Sequence, residues 1–140
     1  PKAGIWAPDI NYINNKYVLY YAMSVWGGEQ TCGIGVATAD SPQGPFTDHG
    51  KMFRSNEIGV QNSIDPSFLQ YEGRNYLVWG SFRGIYVIEL TADGLSIMSG
   101  AKKNRGCKFT ETKTRVRHMS ILEKKTGSGI DALINQSDYG

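Results

Sequence analysis

Three short segments of this chain carry residues that can bind a hydroxyl-rich ligand or move a proton. In Trp6-Ala7-Pro8-Asp9-Ile10 an indole and a carboxylate stand ahead of an extended stretch. Sugar rings lay their apolar CH faces on aromatic rings and hydrogen-bond their hydroxyls to carboxylates, so Trp6 and Asp9 suit carbohydrate. They suit equally an Asp9 that ties down its own turn and a Trp6 that packs between layers. The second segment is Gln61-Asn62-Ser63-Ile64-Asp65-Pro66, where the proline restricts the backbone of Asp65. A carboxylate surrounded by partners from several elements shifts its own pKa and those of its neighbours, and the alternative is an Asx-turn cap on a strand. The third, Ser81-Phe82-Arg83, offers a hydroxyl, a ring and a guanidinium in one tight turn, and Trp26-Gly27-Gly28 occupies the corresponding turn earlier in the chain. An ordinary turn would carry the same residues, but the correspondence favours a role at a rim.

Other chemistries lack their signatures. There is no nucleophile elbow, no glycine-rich phosphate loop and no His or Cys group at metal spacing, so no metal site is expected from these residues. His49 and His118 are isolated and read as surface or packing residues; Cys32 reads as a buried free thiol inside a strand, and Cys107 stands in a basic tail. The net charge of +2 is unevenly spread: nine of the fifteen Lys and Arg lie between Lys102 and Lys125, whereas residues 1–100 hold six bases against nine acids. A basic patch marks nucleic acid only when it lies on a folded face, so neither nucleic acid nor membrane is expected as a partner. No apolar run of about 20 residues is present to span a bilayer as a helix.

The elements that must hold these segments repeat. Pro8 to Tyr21 and Pro66 to Trp79 each read as strand, polar turn and aromatic strand, and a third strand follows in both copies, Gly33 to Thr38 and Gly84 to Leu90. The unit recurs every ~55 to 60 residues, close to the period of propeller blades. Strands are expected near 8–13, 16–23, 31–39, 46–53, 65–71, 75–81 and 84–90, with hairpin turns at Asn14-Asn15 and Glu72-Gly73-Arg74 and a longer one at Ser41 to Pro45. The fold class is all-β, and residues 1–100 form two propeller blades, each a four-stranded antiparallel sheet. Asp65 then precedes the innermost strand of its blade, facing the axial channel. A ring needs at least four blades, so the chain is expected to be a fragment.

After Thr91-Ala92-Asp93-Gly94 the pattern fails. Fourteen of sixteen aromatics lie in the first hundred residues, and residues 101–140 form an anomalous basic tail. With permitted codon choices, Arg117 to Gly129 read in a shifted frame becomes Thr-Tyr-Val-His-Ile-Arg-Lys-Glu-Asp-Gly-Lys-Trp-Tyr, which is strand, Asp-Gly turn and aromatic strand. The tail is thus expected to be frame-shifted or to open the next blade; a native basic linker is the alternative.

Trp6-Ala7-Pro8-Asp9-Ile10, Lys16 to Tyr21, Ile34-Gly35-Val36-Ala37-Thr38, Ser63-Ile64-Asp65-Pro66-Ser67 and Trp79 to Ile85, in this order, together resemble family 43 of the glycoside hydrolases, most closely its endo-1,5-α-L-arabinanases. The resemblance covers about residues 5–100. It implies a five-bladed propeller, arabinan or arabino-oligosaccharide as substrate, and an extracellular or periplasmic enzyme that hydrolyses with inversion through three carboxyl groups. Inversion places acid and base about 6.5 to 9.5 Å apart, with room for a water. By its place in the motif, Asp65 matches the Asp that raises the pKa of the general acid, as a like charge nearby does. Asn62, Ser63, Ile64, Asp65, Ser81, Phe82 and Arg83 match substrate-contacting segments, with Trp6, Asp9, Trp26 and Gly27 as further candidates.

The resemblance also implies parts this chain does not match. The general base would precede Pro1, neither Glu111 nor Glu123 is assignable as the acid, and no residue matches the His that holds a calcium or other ion on the axis of related propellers. No cofactor is required for the chemistry. The rival readings are a β-xylosidase or α-L-arabinofuranosidase of the same family and a non-catalytic propeller that binds glycans or proteins. Unpartnered blades leave apolar faces and strand edges uncovered. The isolated chain is therefore expected to be inactive and to self-associate in light scattering; a monodisperse monomer would contradict the fragment reading.

Overall fold

The computed structural model describes residues 3–25 and 28–107. Eight strands follow one another: β1 (Gly4–Ile13), β2 (Lys16–Ser24), β3 (Gly33–Ala39), β4 (Thr47–Arg54), β5 (Ser67–Tyr71), β6 (Arg74–Ser81), β7 (Gly84–Leu90) and β8 (Asn104–Cys107). A one-turn helix, α1 (Ser55–Ile58), links β4 to the second half. The strands make two four-stranded antiparallel sheets in simple meander order, β1-β2-β3-β4 and β5-β6-β7-β8. Asn14 (φ 49) and Asn15 (φ 62) turn the first hairpin, Glu72 (φ 48) and Gly73 (φ 76) the second, as the paired left-handed residues of such turns require.

Beyond shifts of one or two residues at strand ends, three features differ from the sequence-based expectation. β1 starts at Gly4 because Ala7 and Pro8 bulge out opposite Tyr21, where the pairing shifts between Trp6 and Asp9, and the strand continues past a proline that has no N–H to donate. β5 starts at Ser67, since Asp65 takes a left-handed φ of 53 just ahead of Pro66. Most consequentially, the chain does not leave the second sheet after Gly94. It returns through a bridge between Leu90 and Ile97 to form β8, whose Asn104 and Arg105 pair with Val87 and Tyr86. Residues 104–107 thus close a sheet rather than begin a tail; Asn-Arg-Gly-Cys is too short and too polar to show alternation. Residues 108–140, with Glu111, Glu123 and the segment Arg117 to Gly129, lie outside the described residues.

Alternation decides which faces meet. Val18, Tyr20 and Ala22 of β2 and Ile34 and Val36 of β3 point to one side, Leu77 and Trp79 of β6 and Ile88 and Leu90 of β7 to the other, and these buried side chains form one core between the sheets. Ring contacts cross it: Phe53 to Trp79 at 5.0 Å between centroids and Tyr20 to Phe68 at 6.1 Å. The hydroxyl of Tyr20, wholly buried, donates to the carbonyl of Gly94 at 2.7 Å, and burial first of all raises its pKa, which keeps it a donor. Among the described residues no layer covers the opposite face of the first sheet: Ile5 beside Met23 and Tyr12 beside Tyr17 are among its residues, and Ile5 and Tyr12 are each 63% exposed. None of the described helices is long and apolar enough to cross a membrane.

The turn that redirects the chain towards β8 is held by Asp93. Its Oδ1 accepts from the Thr91 hydroxyl at 2.6 Å and from the Leu95 N–H at 3.0 Å, and these bonds hold the carboxyl below its ordinary value of 3.8. A depressed carboxyl pKa contributes stability that is present above the unfolded value and lost as pH falls through the folded value. The wild type should therefore exceed Asp93→Asn in urea midpoint at neutral pH, with the gap shrinking as pH drops below 3.8. A gap independent of pH would contradict this role.

Candidate functional site

The turn between β2 and β3, the connection from α1 to β5 and the turn between β6 and β7 come together where the two sheets meet. The N–H of Gly80 donates to the carbonyl of Ile64 at 2.8 Å, which lays segment 62–65 beside the start of turn 81–84. Gly80 is the residue type this approach requires: its φ is 140, and a Cβ there would stand 2.0 Å from the carbonyl oxygen of Gly84. From the first sheet, the carbonyl of Glu29 accepts the N–H of Asn62 at 2.7 Å.

Backbone conformation singles out the same segments. Among the described non-glycine residues, Ala7 (φ 45), Asn62 (φ 54) and Asp65 (φ 53) are left-handed outside hairpin turns. Ala7 and Asp65 occupy equivalent places in the two repeats, each just before a proline that disfavours the right-handed helical region. Such conformations cost of order 1–3 kcal/mol and persist where surrounding structure enforces them.

Each candidate side chain has a definite place. Ser63 is fully buried: its N–H donates to Ser55 Oγ at 2.9 Å, its hydroxyl donates to the carbonyl of Val60 at 2.9 Å, and it accepts the indole N–H of Trp79 at 3.1 Å. It therefore shapes the loop from beneath. Ile64 packs against the core, and Asn62 and Asp65 are half-buried beside it. Ser81 is buried and accepts the N–H of Arg83 at 3.3 Å, whereas Phe82 is 62% exposed with the Arg83 guanidinium 4.9 Å from its ring centre. Trp6 is half-buried on β1 opposite Ala22. Asp9 reaches across the sheets: its Oδ2 accepts the N–H of Phe68 in β5 at 2.7 Å and the side-chain amide of Asn11 at 2.8 Å. Trp26 and Gly27 lie outside the described residues.

A cleft of about 490 Å³ opens beside these segments, lined by Gln30, Asn56, Gln61, Arg83, Tyr86 and Arg105 among others; Asp65 does not line it. A second hollow, about 380 Å³, lies on the other face of the first sheet around Tyr21, Asp48 and Arg54. There the Tyr21 hydroxyl donates to Asp48 at 2.7 Å, and burial followed by that bond pushes its pKa up to about 12. Cys32 is a buried free thiol, as expected, though it stands just ahead of β3, 3.1 Å from Ser55 Oγ.

The chain matches the family model for glycosyl hydrolases family 43 over residues 1–127. It belongs to that family. Over 100 residues, 69% of this chain and 31% of the relative, it is 41% identical to arabinan endo-1,5-alpha-L-arabinosidase C of Emericella nidulans. Its fold matches an exo-1,5-alpha-L-arabinanase from a bovine ruminal metagenomic library with a TM-score of 0.59 at 33% identity, over 70% of this chain and 35% of that one. It also matches the Cellvibrio cellulosa alpha-L-arabinanase complexed with arabinohexaose, with a TM-score of 0.62 at 27% identity over 71% and 34%. The family 43 chain thus spans about a third of the length of these relatives. Its two sheets are two blades of a five-bladed propeller, not closed into a ring here.

Among the described residues no group of three or more His, Cys, Asp or Glu gathers in a way that could hold a metal ion. Sequence reasoning passed over Glu29 and Arg105. Glu29 was detectable: it lies in the turn equivalent to the one that carries Arg83, with the opposite charge. Arg105 was obscured by its assignment to the tail.

The Asp9 tie is testable. Asp9→Ala leaves the N–H of Phe68 without its acceptor, which should cost about 1–3 kcal/mol in urea unfolding. Asp9→Asn keeps a carbonyl oxygen and should cost less. Equal stability of all three proteins would show that the bond between sheets is immaterial.

Proposed function

We propose that this chain is part of an inverting glycoside hydrolase that cuts α-1,5-linked arabinofuranose chains, the arabinan side chains of pectin, and works in an extracellular or periplasmic setting. The observation that carries the reading is the family 43 match through residue 127, joined by relatives named for cleavage of arabinan. Asp65 is the carboxylate we assign to the chemistry. Its left-handed backbone ahead of Pro66 fixes where the side chain leaves the main chain at the edge of the second sheet. There it acts as a like charge on a glutamic acid supplied by another part of the whole protein, keeping that acid protonated near neutral pH so that it can protonate the leaving oxygen. A second carboxylate, also from elsewhere, takes the proton of the attacking water.

Asn62 and the turn Ser81-Phe82-Arg83 contact the sugar, with Trp6 and Asp9 at the neighbouring edge. Phe82 presents its exposed ring to an apolar sugar face, and Arg83 donates to ring or hydroxyl oxygens. The reaction runs on carboxyl groups and water, and any axial ion takes its ligands from outside the described residues.

Linear arabinan and xylo-oligosaccharides, given to the whole protein, separate the readings. Release of short arabino-oligosaccharides with the inverted anomer seen first by NMR is the expected result. Arabinose alone would indicate exo action, xylose would replace the substrate, and no cleavage of either would favour a binding propeller. Asp65→Asn should lower kcat by roughly 10²-fold or more while the fold, by circular dichroism, is retained; an unchanged kcat would remove Asp65 from the mechanism.

A further inference from the structure

Glu29, in the turn between β2 and β3, makes bonds to both candidate segments of the second sheet. Its carbonyl accepts the N–H of Asn62 at 2.7 Å. Its carboxylate oxygen Oε2 accepts Arg83 Nε–H at 3.0 Å and Arg83 Nη2–H at 2.9 Å, across 54 positions of sequence. The backbone contact fixes the carboxylate's starting point, and the Glu29 side chain is only 28% exposed, less open to solvent than most surface acids.

Without that carboxylate, Arg83 would be a long side chain on a turn tip, sampling several rotamers. With it, the guanidinium is drawn over Phe82, its Cζ 4.9 Å from the ring centre. One face of the ring is covered by the cation, while the residue as a whole stays 62% exposed. From the far side the turn is held again, because Arg105 Nη2 donates to the carbonyl of Arg83 at 2.9 Å and the Arg105 guanidinium lies 5.7 Å from the centre of the Tyr86 ring. The turn is thus anchored at its backbone by Arg105 and at its tip by Glu29.

We infer that Glu29 is a positioning residue for sugar binding: it holds the Arg83 guanidinium against Phe82, so that ring and cation present one rigid platform to a glycan. The inference rests on the functional reading above. As a stabilising ion pair the contact would matter little, since pairs that water can reach add little to folding. Its effect is on binding, because a preordered side chain loses less freedom when the ligand arrives.

The test uses the whole protein and arabino-oligosaccharides, with Glu29→Gln, Glu29→Asp, Arg83→Gln and the Glu29→Gln/Arg83→Gln pair. Glu29→Gln should raise KM roughly three- to tenfold with kcat within about twofold, Glu29→Asp should recover part of that loss, and the double variant should be no worse than Arg83→Gln alone, because Glu29 acts through Arg83. Melting temperatures within about 2 °C of wild type would separate this from loss of fold. An unchanged KM in Glu29→Gln, a fall in melting temperature as its sole effect, or penalties that add in the double variant would overturn the positioning role. A wild type that neither binds nor cleaves arabino-oligosaccharides would overturn the functional reading, and the inference with it.

Discussion

Everything in this molecule hangs on one layer of side chains between two sheets. Each sheet is a meander of short strands that cannot bury both faces by itself, and the chain solves half of that problem by setting one sheet on the other. Tyr20, Ile34, Phe53, Leu77 and Trp79, each at most 3% exposed, fill the space between them. Removing the larger of these would cost several kcal/mol, on the order of 3–5 for an aromatic replaced by alanine. No single surface ion pair approaches that. The layer therefore sets the distance and angle between the sheets, and the polar contacts at its edges follow from it.

Those contacts are nevertheless where the candidate site gains its shape. Asp9 takes a backbone N–H from β5, Glu29 takes one from Asn62 and a guanidinium from Arg83, and Ser63 sits beneath the loop as a hub for Ser55, Val60 and Trp79. The bonds of Asp9 and Glu29 join elements far apart in sequence, and those of Ser63 tie the loop to its own neighbours. A loop fixed at so many points can sustain left-handed backbone at Asn62 and Asp65, conformations that an isolated peptide would leave. The strain is local, and it is enforced from both sheets, by Glu29 on one side and by Trp79 and Gly80 on the other. Apolar packing and polar placement are thus two parts of one arrangement, the first supplying rigidity and the second direction.

Much of the fold was legible in the residues. The aromatic strand Lys16 to Tyr21 and its counterpart Asn75 to Trp79, the Asn14-Asn15 and Glu72-Gly73 turns and the spacing between repeats all describe local backbone physics, and the observed strands follow them closely. β8 was not legible, because the four residues Asn104 to Cys107 carry no strand pattern of their own and acquire strand geometry from the hydrogen-bonding edge that β7 offers. Nor was the early start of β1, where pairing with β2 carries the strand through a proline bulge. In the candidate site, residue types pointed to Asn62, Asp65 and Ser81 to Arg83, but not to the difference between Ser63, sealed under the loop, and Phe82, open to solvent.

Residue order alone specified seven of the eight described strands, the hairpin turns, their repetition and the family signature, since these depend on residue type and backbone preference over a few residues at a time. Tertiary structure alone decided which sheet faces met, that Asp9 would bond across to Phe68, and that Glu29 would find Arg83 54 positions away. The reason is physical: a hydrogen bond or ion pair between distant residues leaves no trace in local propensity, and it comes into being only when burial of the shared core has brought its two ends together.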